Sequence, residues 1–200
     1  MPNFEIAAGV IAAYLMGSIS SAILVCKVMG LPDPRTQGSR NPGATNVLRI
    51  GGKKAAAITL LGDLLKGVIP VVIAKGWGFG SEGLALVAFA AFLGHLYPVY
   101  FRFEGGKGVA TALGCLLALN WPTGLCWMAA WGATAALSRY SSLSSLTASL
   151  LAPVFIWIFT ANTAWTLTVA VMTLILFFRH RSNILKLING EESRIGRKNR

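Results

Sequence analysis

"MPNFEIAAGVIAAYLMGSISSAILVCK", residues 1–27, carries one charge, Glu5, before its final lysine and is otherwise largely apolar. A run of about 20 apolar residues is the length a helix needs to cross the hydrocarbon of a bilayer. A secretory leader opens on a basic segment, whereas here the first lysine, Lys27, follows the apolar run, so the segment reads as a retained anchor. The pattern recurs. Apolar runs at 4–26, 55–74, 83–101, 108–120, 122–137, 145–161 and 164–179 predict about seven transmembrane helices in an all-α, polytopic integral membrane protein. The fourth run, "GVATALGCLLALN" at 108–120, is too short to cross alone, and "NWP" separates it from the fifth. Either these two form a tight helical hairpin with a recessed start, or the count falls by two. No internal repeat or low-complexity linker interrupts the chain, so one domain over 1–200 is expected.

Composition agrees with that class. The chain is 54% apolar and 12% charged, against roughly a quarter charged in an ordinary soluble domain. Its net charge of +11 reports topology rather than nucleic-acid binding, because sixteen of the eighteen basic residues fall in segments 27–54, 102–107, 138–144 and 179–200. By the positive-inside rule those segments are cytoplasmic, the N-terminus lies outside and the C-terminus inside. Gly9, Ala13, Gly17 and Ser21 recur at four-residue spacing and predict a flat face for helix packing in lipid. Cys26, Cys115 and Cys126 have no metal-ligand spacing and sit in apolar runs, where cysteine behaves as a small hydrophobe.

The polar clusters all fall on the basic side. In "GSRNPGATNVLR", residues 38–49, Ser39, Asn41, Thr45 and Asn46 supply donors, Gly38 and Gly43 permit positive φ, and Arg49 offers a planar fork. Such a group suits a phosphate. In "GGKGVAT", residues 105–111, Gly105, Gly106 and Gly108 expose amides around Lys107 where a short helix begins, aiming its dipole at an anion. The motif is not a Walker A loop, which requires Ser or Thr after the lysine, so a nucleoside triphosphatase is disfavoured.

A third cluster, "FFRHRSNILKLING" at 177–190, places His180 and Asn183 three apart, on one face of a continuing helix. A histidine among cations at the edge of an apolar span resists protonation and is suited to accept a proton near neutral pH. "SRYSSLSS" at 138–145 adds the hydroxyls of Ser142 and Ser145. Asp63 and Lys66 of "GDLLKG" lie inside the second span, where isolated charges cost roughly 2.5–3.5 kcal/mol each, so they are expected to pair. His95 of "GHLYPV" reads as a buried hydrogen-bonding residue. With no cysteine nucleophile, carboxylate pair or metal-ligand cluster, the residues indicate proximity and electrostatic catalysis on phosphorylated molecules. That leaves two classes open: a phosphate-handling membrane enzyme, or a membrane transporter of phosphorylated small molecules.

A resemblance narrows the choice. "GSRNPGATNVLR", "GDLLKG", "GHLYPVYFRFEGGKGVAT", "SRYSSLSS" and "RHRSNILKLINGEESRIG" follow one another as in the bacterial acyl-phosphate:glycerol-3-phosphate acyltransferase family, PlsY, and the chain resembles that family over nearly its full length. The resemblance implies a seven-helix enzyme of the bacterial inner membrane with its active-site loops facing the cytoplasm. It implies transfer of a fatty acyl group from acyl phosphate to the sn-1 hydroxyl of glycerol 3-phosphate, giving 1-acylglycerol 3-phosphate and phosphate. No cofactor and no metal is expected; the partners are the two substrates, membrane lipid and, functionally, the enzyme that makes acyl phosphate. Family roles carry over to Ser39, Arg49, Lys107, His180 and Asn183, with the glycine loop holding the phosphate of glycerol 3-phosphate and Glu192 supporting structure.

Overall fold

The computed structural model describes residues 3–196, which form helices joined by short irregular segments, with no strand among them. The basic residues Arg197, Lys198 and Arg200 of the last predicted cytoplasmic segment lie outside the described residues. The chain divides into two compact units, one up to Leu119 and one from Asn120 onward.

The first unit comprises α1 (Asn3–Gly17), α2 (Ser21–Val28), α3 (Ala44–Gly76), α4 (Ser81–Leu96) and α5 (Val109–Leu119). The first predicted span is therefore two helices, bent by 40° at residues 18–20. The Ser18 hydroxyl donates to the Tyr14 carbonyl at 2.8 Å, and Lys66 Nζ donates to the Ile19 carbonyl at 2.8 Å. A backbone break inside an apolar span is tolerated only when such partners satisfy the freed groups. The break divides the predicted small-residue face. Gly9, buried Ala13 and Gly17 belong to α1, and a Cβ at Gly17 would strike the Ala91 carbonyl of α4. Ser21 instead opens α2 and faces Gly62 of α3.

Helix α3 begins eleven residues earlier than the predicted span at 55, at Ala44. Residues 44–54 are polar enough to hide from a hydropathy reading, yet Val47 packs into a buried cluster with Ala22, Cys26 and Ala55, which docks this amphipathic turn onto α2. Gly52 interrupts α3 with φ 78° and ψ −172°. Helix α5 is 11 residues long, about 16 Å at 1.5 Å per residue, and does not span a hydrocarbon core of about 30 Å. Its end is capped by Lys75, whose Nζ donates to the Ala118 and Leu119 carbonyls at 2.5 and 2.8 Å. It lies directly on α3: a Cβ at Gly67 would collide with the Thr111 carbonyl, and one at Gly114 with that of Leu64.

The second unit comprises α6 (Trp121–Ser138), α7 (Ser141–Thr160), α8 (Thr163–Arg179) and α9 (Arg181–Ile188). Two-residue turns join the first three, at Arg139–Tyr140 and Ala161–Asn162, and Asn120 and Asn162 cap the following helices by accepting the Thr123 and Trp165 amides at 3.0 Å. Thr173 of α8 donates to the Ser149 carbonyl of α7 at 2.9 Å. The helix expected to continue past the membrane through His180 and Asn183 does so as two helices bent by 60° between Arg179 and Arg181. The His180 amide is shared between the Leu176 and Phe177 carbonyls, which tightens and closes α8. Among the described residues, three helices, α3, α4 with its continuation to Phe101, and α7, are long and apolar enough to cross a membrane; the bent pairs α1/α2 and α8/α9 raise the number to five.

Candidate active site

In the first unit, the loop between α2 and α3 is folded by Asn46 from within. Its Oδ1 accepts the Ser39 amide at 2.9 Å, while its Nδ2 donates to the Pro34 and Gln37 carbonyls at 2.9 and 3.0 Å. Asn46 is 1% exposed, so this residue, expected to donate to a ligand, shapes the loop instead. Of the two glycines expected at positive φ, Gly38 has it (58°), but Gly43 is extended at −151° and caps α3; Arg40 takes a left-handed conformation with φ 57°. Ser39, Thr45 and Arg49 are exposed, Asn41 and Gly43 half-buried.

The glycine loop, residues 104–108, is held from below by the end of α4. The Gly106 amide donates to the His95 carbonyl at 3.2 Å. A Cβ at Gly105 would collide with the His95 and Leu96 carbonyls, and one at Gly106 with His95 Nε2. Gly108, at φ 87°, lies against the Phe92 and Leu96 side chains, and its carbonyl accepts the Ala112 amide at 2.8 Å to start α5. Half-buried Lys107 therefore sits immediately before the helix start, where unsatisfied amides and the helix dipole favour an anion.

These two loops are brought together. A Cβ at Gly106 would stand 3.0 Å from the Pro42 carbonyl oxygen. Arg35 also bridges them, donating to Asp33 at 2.7 Å and to Glu104 at 3.0 Å. The Arg35 hydrogen bonds hold the Asp33 carboxyl below the usual carboxylate range, against the opposing pull of partial burial. Neither Arg35 nor Glu104 figures in the sequence reading, although an acidic residue directly before a Gly-Gly-Lys turn is a visible signal for a loop clamp.

In the second unit, His180 is 3% exposed and its Nδ1 lies 2.9 Å from the Leu176 carbonyl. A carbonyl only accepts, so Nδ1 bears the hydrogen of this bond, and Nε2 is the ring nitrogen left to exchange a proton. Glu192 Oε1 accepts from Ser142 Oγ at 2.7 Å and from Asn183 Nδ2 at 2.9 Å, while the Ile195 amide donates to the Arg139 carbonyl at 2.7 Å. These bonds fasten the chain after α9 to the α6–α7 turn, in keeping with the supporting part expected of Glu192. Ser145 is buried with its hydroxyl donating to the Ser141 carbonyl at 2.9 Å and accepting from Trp131 Nε1 at 3.2 Å. Ser142 and Ser145, two of the serines expected at the site, are thus engaged within the protein.

Comparison with known proteins agrees with the resemblance. The family model described as glycerol-3-phosphate acyltransferase matches residues 7–190. A glycerol-3-phosphate acyltransferase of Methylococcus capsulatus is 54% identical over 93% of this chain and 94% of its own. One from Thioalkalivibrio sulfidiphilus is 55% identical over 94% and 93%, respectively. Among solved structures, the crystal structure of PlsY, an integral membrane glycerol 3-phosphate acyltransferase, in its glycerol 3-phosphate form superposes with a TM-score of 0.92 at 40% identity, covering 96% of each chain. The same protein in a lysophosphatidic acid form gives a TM-score of 0.89 at 39% identity. The apolar helices and these matches make the chain a multi-pass membrane protein, and it belongs to the glycerol-3-phosphate acyltransferase family of enzymes.

Proposed function

We propose that this enzyme transfers a fatty acyl group from acyl phosphate to the sn-1 hydroxyl of glycerol 3-phosphate. The observation that carries the reading is the glycine loop: three glycines are fixed where side chains do not fit, with Lys107 among them and the loop before α3 alongside at Pro42. Close backbone approach plus a cation at a helix start is the means by which a protein grips a phosphate.

The chemistry asks little more. The hydroxyl oxygen forms the new bond to the acyl carbon, the acyl–oxygen bond to phosphate breaks, and inorganic phosphate leaves with the electron pair. A phosphate is a good leaving group, so orientation and charge neutralisation suffice. Arg49 and Lys107 neutralise phosphate charge, and Ser39 orients a phosphate or the reacting carbonyl. Asn41, Thr45 and the glycine-loop amides add donors. The family resemblance assigns His180 and Asn183 to the same reaction. The hydroxyl proton passes to His180 Nε2 or to a phosphate oxygen of the substrate itself, two routes that mutation separates.

The reading takes the whole chain, 1–200, as one acyltransferase domain of the bacterial inner membrane, functionally downstream of the enzyme that makes acyl phosphate. In the seven-helix topology the two helices beyond five are α6 and the short α5, which starts from a recessed loop and does not cross alone; the N-terminus is outside, and the basic loops face the cytoplasm. The test is purified protein given labelled glycerol 3-phosphate with acyl phosphate or with acyl-coenzyme A. Product from acyl phosphate alone is expected; product from the thioester alone rejects the assignment of donor.

A further inference from the structure

Three buried ionisable side chains lie under the glycine loop without belonging to it. Asp63, Lys66 and His95 are 2%, 5% and 6% exposed. Lys66 Nζ pairs with Asp63 Oδ1 at 2.9 Å and donates to the Ile19 carbonyl at the α1/α2 break. Lys66 therefore already supplies the carboxylate with a counter-ion and the break with a donor. His95 is not needed for charge balance. Yet its Nδ1 faces Asp63 Oδ1 at 3.6 Å, longer than a hydrogen bond, while its opposite edge, Nε2, fills the space beside the Gly106 Cα.

Asp63 also holds the other end of the loop. Its main-chain carbonyl accepts from Thr111 Oγ1 at 2.9 Å, at the first turn of α5. The segment from His95 to Thr111 thus has both ends referred to one residue of α3, through an imidazole on one side and a hydroxyl on the other. A loop that must place amides and Lys107 around a phosphate needs its supporting residues locked by packing and hydrogen bonds.

We propose that His95, seated on Asp63, is a positioning residue for glycerol 3-phosphate: the imidazole is a spacer that sets the height of Gly106 and Lys107. The proposal rests on the reading of the glycine loop as the glycerol 3-phosphate site. Its signature is a split in kinetic constants. A shape-only contribution to the core would disturb both substrates together, whereas a spacer under this loop affects one.

His95→Asn keeps an amide near the Nδ1 position facing Asp63 and removes the edge that faces Gly106. It is expected to raise KM for glycerol 3-phosphate at least about tenfold, with KM for acyl phosphate within about twofold and kcat within about threefold. His95→Gln, which reaches the Nε2 position, is expected to return KM for glycerol 3-phosphate to within about threefold of the parent. Equal KM values for the two variants, parallel changes for both substrates, or a loss confined to kcat overturns the proposal. Should His95→Asn not be recovered as monodisperse protein, the Asp63→Asn/Lys66→Gln double variant, which keeps the interior neutral, carries the same expected split and the same refutation. Parent protein that consumes no glycerol 3-phosphate defeats the functional reading itself; active parent with an unshifted His95→Asn variant defeats only the spacer.

Discussion

Gly108→Ala tests whether the glycine loop is constrained as its geometry states. The backbone at Gly108 has φ 87°, a conformation that costs a residue with a Cβ roughly 1–2 kcal/mol. The added methyl would also press on Phe92 Cδ2 at 2.9 Å and Leu96 Cδ1 at 2.7 Å. Both side chains are 0% exposed and have nowhere to move, so overpacking adds about 1–3 kcal/mol. The sum, about 2–5 kcal/mol, is large beside a total stability of 5–15 kcal/mol for a typical domain. The chain can relieve it by lifting the loop, and that displaces Lys107. The expected outcome is a lower unfolding midpoint together with a fall in kcat/KM for glycerol 3-phosphate of at least about 30-fold, equivalent to about 2 kcal/mol. Two control glycines separate the contributions. Gly78 has φ 78° with nothing within 4 Å of a built Cβ, so Gly78→Ala should lose only the torsional 1–2 kcal/mol or so and retain activity. Gly76 has neither problem, and Gly76→Ala should stay within about 0.5 kcal/mol of the parent. Thermal unfolding in detergent and initial-rate kinetics on the three variants supply the readout. If Gly108→Ala behaves like Gly78→Ala on both measures, the crowding argument is wrong.

Other residues give independent tests. Arg49→Lys should lose most activity because an ammonium cannot reproduce the planar fork of a guanidinium, and parent-like kinetics would remove Arg49 from the phosphate site. Lys107→Ala should abolish turnover; if His180→Ala then keeps most of its own across neutral pH, the proton goes to substrate phosphate rather than to Nε2. Asp33 is held by Arg35 below the usual carboxylate range. Its stabilising effect is therefore complete above an unfolded pKa of about 4 and disappears as pH falls through the lower folded value. Asp33→Asn should flatten the acid limb of stability against pH while changing neutral stability by no more than about 1 kcal/mol, since the pair is partly exposed. An unchanged acid limb in that variant would show that the clamp does not form in solution.

The apolar runs made the helices legible because hydrocarbon length and hydropathy act locally. What stayed hidden depended on distant partners. The break at 18–20 lies within an apolar run, and the residue that makes it affordable, Lys66, is 47 positions away. The polar start of α3 carries too little hydropathy to register, and only the packing of Val47 against Ala22 and Cys26 shows why it is helical. Residue types marked the two polar clusters, but not that residues 44–49 of the first are the start of α3, that Pro42 and Gly106 abut or that Arg35 reaches Glu104. Asn46 shows the limit most clearly: its donors look available in the sequence, and three backbone groups of its own loop engage the side chain. His180 is the reverse case, since the bond from Nδ1 to Leu176 puts a hydrogen on Nδ1 that spacing alone left open.

The broken first helix also bears on the choice between enzyme and transporter. Transporters commonly interrupt a spanning helix so that unwound carbonyls and helix ends can coordinate a passing ion or solute. Here the chain supplies its own cation: Lys66 donates to the Ile19 carbonyl at 2.8 Å and pairs with Asp63 at 2.9 Å. Removing that ammonium to admit a solute would leave a buried carboxylate without its partner, a change worth about 3–5 kcal/mol for a broken interior pair. The interruption is consequently a fixed staple between α3 and the α1/α2 bend, not a vacant station on a path. On the proposed reading, chemistry falls instead to the glycine loop, where Lys107 stands at a helix start, and to the loop before α3 that abuts it at Pro42. A support that holds still beneath two binding loops is what acyl transfer by proximity requires, because an error of about 1 Å in placing the reacting atoms is enough to cost two orders of magnitude in rate.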